Sequence, residues 1–219
     1  MRGETARERL VDAAIALFEE RGYDAVTVDQ IAQRADVGRT TLFRLFGSKE
    51  GLIFPDHDAL LAQVELRLKT AARSSALAAV VDAAGVVFDY YVKEGELAQA
   101  RFRLTSTVSA LRDREMASIG RYTRLFTRHL TAHLDGEPNA ALRAELLATA
   151  VVTAHNHVLR RWLRAESTTP QRDFSEAMTT TLALVSRTSE SRTAVVVFET
   201  NEPLESVVPR IKTTLDGKA

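Results

Sequence analysis

A short segment between positions 39 and 46 carries side chains that can bind nucleic acid. Arg39 and Phe43 stand four residues apart, and so do Thr40 and Arg44, so a helix places all four on one face. An arginine fork can bind O6 and N7 of guanine or grip a phosphate, and threonine can contact a phosphate or a thymine methyl group. An outward phenyl ring on the same face indicates that another molecule covers it. The pattern therefore predicts a face that contacts DNA.

The composition removes several other kinds of chemistry. The chain has no cysteine, which excludes disulfides, cysteine-based zinc sites and a catalytic thiol. The formal net charge is zero, but the stretch 37–49 holds three basic residues and no acid. No run approaches the ~18 consecutive apolar residues of a membrane span, and the charged start, residues 1–10, has no signal-peptide core. We expect a cytoplasmic protein with no membrane partner.

Histidines are the remaining candidates for metal binding or catalysis. His129 and His133 stand four residues apart and share a helix face, whereas His155 and His157 stand two apart on different faces. The run Asp56-His57-Asp58 is a third candidate. Each is more simply a solvated or hydrogen-bonded histidine, so we expect no metal and no cofactor. The charged run 112–115 is interpreted as a solvated turn.

A helical enzyme that uses one of these histidine groups stays open as an alternative function. The chain has no His-Glu-x-x-His motif, no P-loop and no Gly-x-Ser-x-Gly elbow, so nothing in the sequence supports it positively. Turnover or bound metal would favour it. A ligand-binding dimer that has lost its affinity for DNA is the other alternative.

The elements that must position the DNA-contacting face are two short helices joined by a turn. Residues 4–21 place their apolar side chains on one helical stripe. Thr27 and Gln30 match a capping box at the start of the next helix. The turn Asp36-Val37-Gly38 then leads to a third helix at 39–46. This is helix-turn-helix geometry, in which the second helix enters the major groove.

The inner face of that third helix supports the same interpretation. Leu42, Leu45 and Phe46 cluster opposite Arg39 and Arg44 and should lock the helix to the body. From periodicity alone, residues 27–46 are also compatible with a plain corner between two helices.

Beyond residue 50 the chain predicts further amphipathic helices and an all-α fold. We place them near 49–72, 76–94, 96–105, 110–134, 139–165 and 173–188, with a bend or restart at Pro55. The run 193–200 is typical of a strand, and helical spacing follows it. We therefore divide the chain into a DNA-binding domain at 1–48, a ligand-binding and dimerisation domain at 49–190, and a tail at 191–219.

The segments Thr27–Ala32, Ala35–Phe46 and Ser48–Leu52 resemble the DNA-binding signature of the TetR family of bacterial transcriptional regulators. The preceding helix, Arg9–Gly22, is similar as well, and the resemblance is specific over about residues 7–54. Three positions depart from it. Gly38 stands where the family often has serine, Phe43 where tyrosine is common, and Leu45 where an aromatic residue or histidine is usual.

The resemblance implies which residues contact DNA. A regulator of this kind binds a palindromic operator as a homodimer and acts as a repressor. A small apolar effector releases it from the operator. The implied DNA contacts are Thr27, Arg39, Thr40, Thr41, Phe43, Arg44 and Lys49.

The resemblance also implies a ligand pocket and a dimer interface in the larger domain. The implied pocket residues are Leu61, Val64, Phe88, Tyr91, Phe102, Thr105, Tyr122, Phe126, His129, Asn156 and Trp162. The implied dimer interface lies on the last two long helices, through Phe174, Ala177, Met178, Thr181, Leu182 and Val185. We expect the effector to press on the helix after Lys49, near Leu61, Val64 and Leu68, and so to swing the DNA-binding head.

Overall fold

A computed structural model describes residues 5–54, 56–71 and 75–186. Within these ranges the chain is helical and contains no strand, as an all-α prediction requires. The elements are α1 (Ala6–Arg21), α2 (Val28–Arg34), α3 (Arg39–Phe46), a 3-10 helix (Glu50–Leu52), α4 (His57–Thr70), α5 (Ala76–Glu94), α6 (Glu96–Thr107), α7 (Ser109–His133), α8 (Ala140–Leu163) and α9 (Pro170–Ser186). The strand predicted at 193–200, the 191–219 tail and the bend predicted at Pro55 lie outside the described residues.

The first three helices form the head of the molecule, and their ends follow local sequence signals. Thr27 and Gln30 form the predicted capping box, with the Thr27 hydroxyl accepting the Gln30 N–H at 3.3 Å. Thr5 and Glu8 form a second one at the start of α1. Each box satisfies two backbone donors that the first helical turn leaves without a partner. These caps fix where α1 and α2 begin.

The turn predicted between α2 and α3 contains one residue with a positive φ. Asp36, not Gly38, takes the left-handed conformation, with φ of 50°. Gly38 has φ of −64° and is the residue before α3, where it offers no side-chain cap. Aspartate tolerates the left-handed region better than most residues. The turn therefore depends on Asp36, and the backbone of Gly38 is ordinary.

The segment predicted near 49–72, with a bend or restart at Pro55, forms two elements among the described residues. The first is the 3-10 helix, in which the Ser48 hydroxyl accepts the Gly51 N–H at 3.2 Å. The second, α4, begins after Asp56, whose carboxylate accepts the Ala59 N–H at 3.0 Å. A Cβ atom at Gly51 would collide with the Phe46 carbonyl oxygen at the end of α3. Only glycine therefore allows this close approach between the 3-10 helix and α3.

The core of the head continues into the larger part of the molecule. Buried side chains of α1, α2 and α3 pack with those of the segment 52–54. Ala100 and Leu104 of α6 and Leu111 of α7 join the same cluster. A second core lies among α4, α5, α7, α8 and α9, and a third lies where α5, α6 and α8 meet. We call the part of the chain formed by α4 to α9 the body. Helix α7 therefore begins in the core of the head and continues into the core of the body.

Candidate DNA-binding face and ligand cavity

The outer face of α3 has the arrangement that the sequence predicts. Arg39, Thr40, Phe43 and Arg44 are exposed, whereas Leu42 on the opposite side is fully buried. Leu45 and Phe46 are half-buried against the head core. Apolar packing thus fixes the helix from behind and leaves two arginines and a phenyl ring facing outward.

Arg39 is held in place on this face by two neighbours. Its guanidinium donates to the Asp29 carboxylate at 2.9 Å and lies over the Phe43 ring, 5.4 Å from the centroid. The ion pair is well exposed, and such pairs contribute little stability. The ion pair matters for geometry, because it holds Arg39 beside the Phe43 ring in the absence of DNA.

The other predicted DNA contacts have different surroundings. Thr40 is exposed and Thr41 is half-buried on α3, while Thr27 is exposed and caps α2. Lys49 donates to the carbonyl oxygens of Tyr23 and Val26 at 2.9 and 3.1 Å. Its ammonium group lies 4.0 Å from the centroid of the Tyr23 ring. Lys49 thus ties the 3-10 helix to the loop between α1 and α2, a structural role that the sequence analysis missed.

A cavity of about 60 Å³ lies in the body among α4, α5, α7 and α8. Its walls are mainly apolar and aromatic, with polar groups at a few points. The residues that line it are His57, Ala84, Val87, Tyr91, Glu115, Ser118, Ile119, Tyr122, Phe126, Val152, His155, Asn156, Leu159 and Leu163.

Four of the predicted pocket residues line this cavity, namely Tyr91, Tyr122, Phe126 and Asn156. The others lie elsewhere. Val64, Phe88 and Trp162 are buried in the cores, and Phe102 packs against the third of them. Leu61 lines an open groove between α4 and α7, and His129 contacts His133 with ring centroids 4.3 Å apart and the rings tilted by 39°. Thr105 is buried beside the Glu115 carboxylate.

Two histidines that line the cavity, His57 and His155, were not predicted from the sequence to contact a ligand. His57 is the first residue of α4, and its Nδ1 lies 3.4 Å from the Tyr122 hydroxyl. His155 is only 7% exposed, and its Nδ1 lies 3.2 Å from the Asn156 side-chain oxygen. The Nε2 atoms of both are buried without a hydrogen-bond partner among the described residues. An isolated histidine in a helical pattern gives no signal that separates this environment from a solvated one.

Burial keeps both imidazoles neutral. Desolvation lowers the pKa of His155 to about 4, although the bond to Asn156 opposes this. Desolvation, followed by the positive charges of Arg121, Arg114 and Arg101, lowers the pKa of His57 to about 4. At neutral pH each ring therefore offers one donor and one acceptor nitrogen.

Glu115 corrects the interpretation of residues 112–115 as a solvated turn. The segment lies inside α7, and the Glu115 side chain is half-buried in the cavity wall. Desolvation raises the pKa of its carboxyl, while Arg160 and the Thr105 hydroxyl act in the opposite direction. The charge pattern of the sequence did not show which of the four residues faces inward.

Three residues predicted at the dimer interface contact the core of their own chain instead. Met178 is 3% exposed, and Phe174 stacks on Phe88 with centroids 4.7 Å apart. Ala177 packs against the third core. Thr181, Leu182 and Val185 are half-buried. The exposed leucines of this region are instead Leu142, Leu146 and Leu184, which are 57%, 60% and 66% exposed.

The described residues contain no group of three or more potential metal ligands. None of the helices in the described ranges is long and apolar enough to cross a bilayer.

Helices α2 and α3, with the basic outer face of α3, define a helix-turn-helix DNA-binding protein.

Similarity to known proteins assigns the family. Residues 10–55 match the domain described as "Bacterial regulatory proteins, tetR family", and residues 74–189 match the "MftR C-terminal domain". The chain is 33% identical to the HTH-type transcriptional regulator TcmR of Streptomyces glaucescens over 74% of this chain and 75% of TcmR. The chain belongs to the TetR family of transcriptional regulators, whose members are regulators and not enzymes.

Other relatives match over shorter stretches or in fold alone. The transcriptional repressor KstR of Rhodococcus jostii is 47% identical over 22% of each chain. Several curated relatives are matched over only 22% to 43% of their length. Among solved structures, NalD, the secondary repressor of the MexAB-OprM multidrug efflux pump in Pseudomonas aeruginosa, has a TM-score of 0.56 at 17% identity over 81% of this chain and 96% of NalD. A regulator from Aquifex aeolicus has a TM-score of 0.57 at 17% identity over 83% and 99%.

The buried neutral state of His155 predicts a pH dependence of stability. Its pKa is about 4 in the folded protein and about 6.5 when unfolded, so the unfolded chain binds the extra proton between these values. The free energy of unfolding therefore falls as the pH drops from 6.5 to 4, by up to about 3 kcal/mol for this group. His155→Phe should remove the His155 contribution and leave that of His57, whose pKa is also about 4, as measured by urea unfolding at each pH. An unchanged slope in the variant would contradict the burial of a neutral imidazole.

Proposed function

We propose that the protein is a cytoplasmic, ligand-responsive repressor that binds a palindromic operator as a homodimer and is released by a small effector. The observation that carries the proposal is α3, whose outward face presents Arg39, Phe43 and Arg44 while its inner face packs into the head. A recognition helix needs such a face to enter a major groove. The proposed contacts are those implied by the family resemblance.

Lys49 is proposed to contact DNA in addition to its structural role in the head. An ammonium group has three donors, and two of those of Lys49 bind carbonyl oxygens of the head. A phosphate contact would use what remains, from a side chain that the head already orients. Replacing Lys49 should therefore lower both DNA affinity and the stability of the head.

The dimer is proposed to form through the exposed faces of α8 and α9. One exposed stripe of α8, at spacings of three and four residues, consists of Leu142, Leu146, Thr149, Thr153 and His157. Helix α9 packs on α8 after a short connection and adds Thr180, Ala183 and Leu184 on its exposed side. Exposed leucines that share a face are typical of a surface that another molecule covers. A twofold axis would pair this stripe with its own copy and hold the two heads at a fixed spacing.

The effector is proposed to bind the cavity and act on the head through α4 and α7. His57 contacts the cavity and lies three residues after Phe54, which is buried in the head core. Leu111 lies in the same head core, one helical turn before Glu115 in the cavity wall. The proposed point of action thus moves from Leu61, Val64 and Leu68 to the start of α4, since Val64 and Leu68 are buried core residues.

The size of the cavity supports a switch of this kind. About 60 Å³ is far below the ~300–1,000 Å³ of typical small-molecule sites. A ligand of ordinary size must therefore move the surrounding helices apart as it binds. The effector would favour this expanded state over the compact one, and that differential affinity is what a ligand needs to shift an equilibrium.

The first test concerns the recognition helix. Arg44→Ala should weaken binding to the DNA upstream of the protein's own gene by ~1–3 kcal/mol and relax the preference at one base position. Lys49→Ala should weaken binding to every sequence, lower the salt slope by about one and lower the melting temperature. Gel-shift titrations at several salt concentrations measure these effects. Parental affinity in both variants would contradict the assignment of α3 to the major groove.

The second test concerns the dimer surface. Leu146→Glu places a charge on the exposed stripe, so it should give folded monomers in sedimentation experiments and weaken operator binding. Met178→Glu is the matched comparison, because Met178 is buried in its own chain and a charge there should unfold the protein. Dimers that persist in the Leu146 variant, or a monomeric parent protein at micromolar concentration, would contradict the proposed interface.

A further inference from the structure

The described lining of the cavity has one charged group, and that group is acidic. Among the described residues that line it, Glu115 is the one charged side chain, and no arginine or lysine is present. His57 and His155 are neutral because burial lowers the pKa of each to about 4. The lining therefore carries a net negative charge at neutral pH when Glu115 is ionised.

Glu115 has neighbours that favour its ionised form. The Thr105 side chain, whose hydroxyl donates to the Phe102 carbonyl oxygen at 3.1 Å, and the Arg160 guanidinium both act to lower the pKa of the carboxyl. Neither Thr105 nor Arg160 lines the cavity. Desolvation opposes ionisation and raises the pKa of the carboxyl. A carboxylate in an apolar wall with no cation in the lining is costly, and a positively charged ligand would remove that cost.

His155 supplies a second acceptor within the same cavity. Its side chain is more than nine-tenths buried, and its Nε2 has no hydrogen-bond partner among the residues described. The Nδ1 atom lies 3.2 Å from the Asn156 side-chain oxygen, so the Nδ1–H tautomer donates there and leaves a lone pair on Nε2. A buried acceptor without a donor costs free energy until a ligand supplies one.

The remaining walls suit a flat, apolar body. Tyr91, Tyr122 and Phe126 contribute rings, and Val87, Ile119 and Leu159 contribute aliphatic surface. The faces of aromatic rings attract cations as well as other rings. The lining therefore combines aromatic walls, a carboxylate and a free imidazole acceptor.

We infer that the effector is an organic ammonium compound, in which a protonated amine binds Glu115, a ring-sized apolar body packs between the aromatic walls, and a further donor reaches Nε2 of His155. This inference rests on the proposed function, because it names the ligand class of the proposed effector cavity. An anionic ligand would meet the Glu115 carboxylate with no cation in the described lining. A plain acyl chain would leave both the carboxylate and the imidazole acceptor unpaired.

Three probes with the same ring and similar size test the inference through the charge of their polar group: benzylamine, benzyl alcohol and benzoate. Trp162 is the single tryptophan of the chain and packs with Leu159 and Leu163, which line the cavity. Its fluorescence can therefore report binding to the full-length protein. We expect benzylamine to bind about tenfold more tightly than benzyl alcohol, since charge-assisted hydrogen bonds are about twice as strong as neutral ones. Benzoate should bind most weakly.

Glu115→Gln keeps the shape of the side chain and removes its charge. The variant should lose the preference for benzylamine and bind benzyl alcohol about as well as the parent does. Asp113→Asn is the matched control, because Asp113 is exposed on the same helix and outside the cavity lining. The control should keep the parental preference, and thermal unfolding should show all three proteins folded.

Several outcomes would overturn the inference. These are equal binding of benzylamine and benzyl alcohol, tighter binding of benzoate, an unchanged preference in Glu115→Gln, or no binding of any probe. Binding is measured without DNA, so these outcomes leave the regulator proposal standing if gel shifts still show operator binding. If the parent shows no operator binding but prefers benzylamine, the regulator proposal is overturned. The assignment of the ligand class then stands.

Discussion

The structure depends on one apolar contact, the packing of the head against α6 and the first turn of α7. Leu111 is fully buried and Leu104 nearly so, and both belong to the cluster that holds α1, α2 and α3 together. Full burial of a leucine contributes about 1.5–3 kcal/mol. The exposed ion pair between Arg103 and Glu19 also joins α6 to α1, at 2.6 Å, but such pairs contribute about 0–1 kcal/mol. Apolar burial, not charge, therefore sets the position of α3 relative to the body.

This shared core explains how a small cavity in the body can matter to DNA binding. Helix α7 carries Leu111 in the head core and Glu115, Ser118 and Tyr122 in the cavity wall, so a displacement of α7 at the cavity also displaces a side chain of the head. The start of α4 provides a second connection through His57. Both connections are short, since Leu111 and Glu115 are one helical turn apart on α7 and His57 lies three residues after Phe54. In the proposed dimer, an effector that moved either helix by a small amount would therefore change the separation of the two heads.

The buried polar groups of the cavity have a cost that the protein alone does not offset. Two imidazole nitrogens lack partners among the described residues, and a carboxylate lies in a mainly apolar wall. Such groups lower the stability of the ligand-free protein. In the proposed effector site they would also favour a ligand that satisfies them over one that merely fills space. Reduced stability and ligand selectivity are thus two consequences of the same side chains.

The sequence predicted the head more closely than the cavity, for physical reasons. Capping boxes and the apolar stripe of α1 are local signals, and the resemblance to the family covered the same stretch. The cavity is a gap left where several helices meet, and periodicity shows which face of a helix is buried but not where packing is incomplete. His57 and Glu115 were missed for this reason.

For helix α9, too, the sequence shows which residues are apolar but not what each apolar face contacts. It has apolar residues on two faces, and the sequence could not show that Met178 faces its own core while Leu184 faces outward.

Hydrogen exchange across the head, compared between the parent and Leu111→Ala, tests the shared core most directly. If the head core includes the start of α7, amides of α2 and α3 in the parent should open with the same free energy as those around Leu111. Removing the Leu111 side chain should lower that free energy by ~2–5 kcal/mol in α2 and α3 as well as in α7. A head that opens more easily than α7 in the parent, and whose exchange does not change in the variant, would contradict the account.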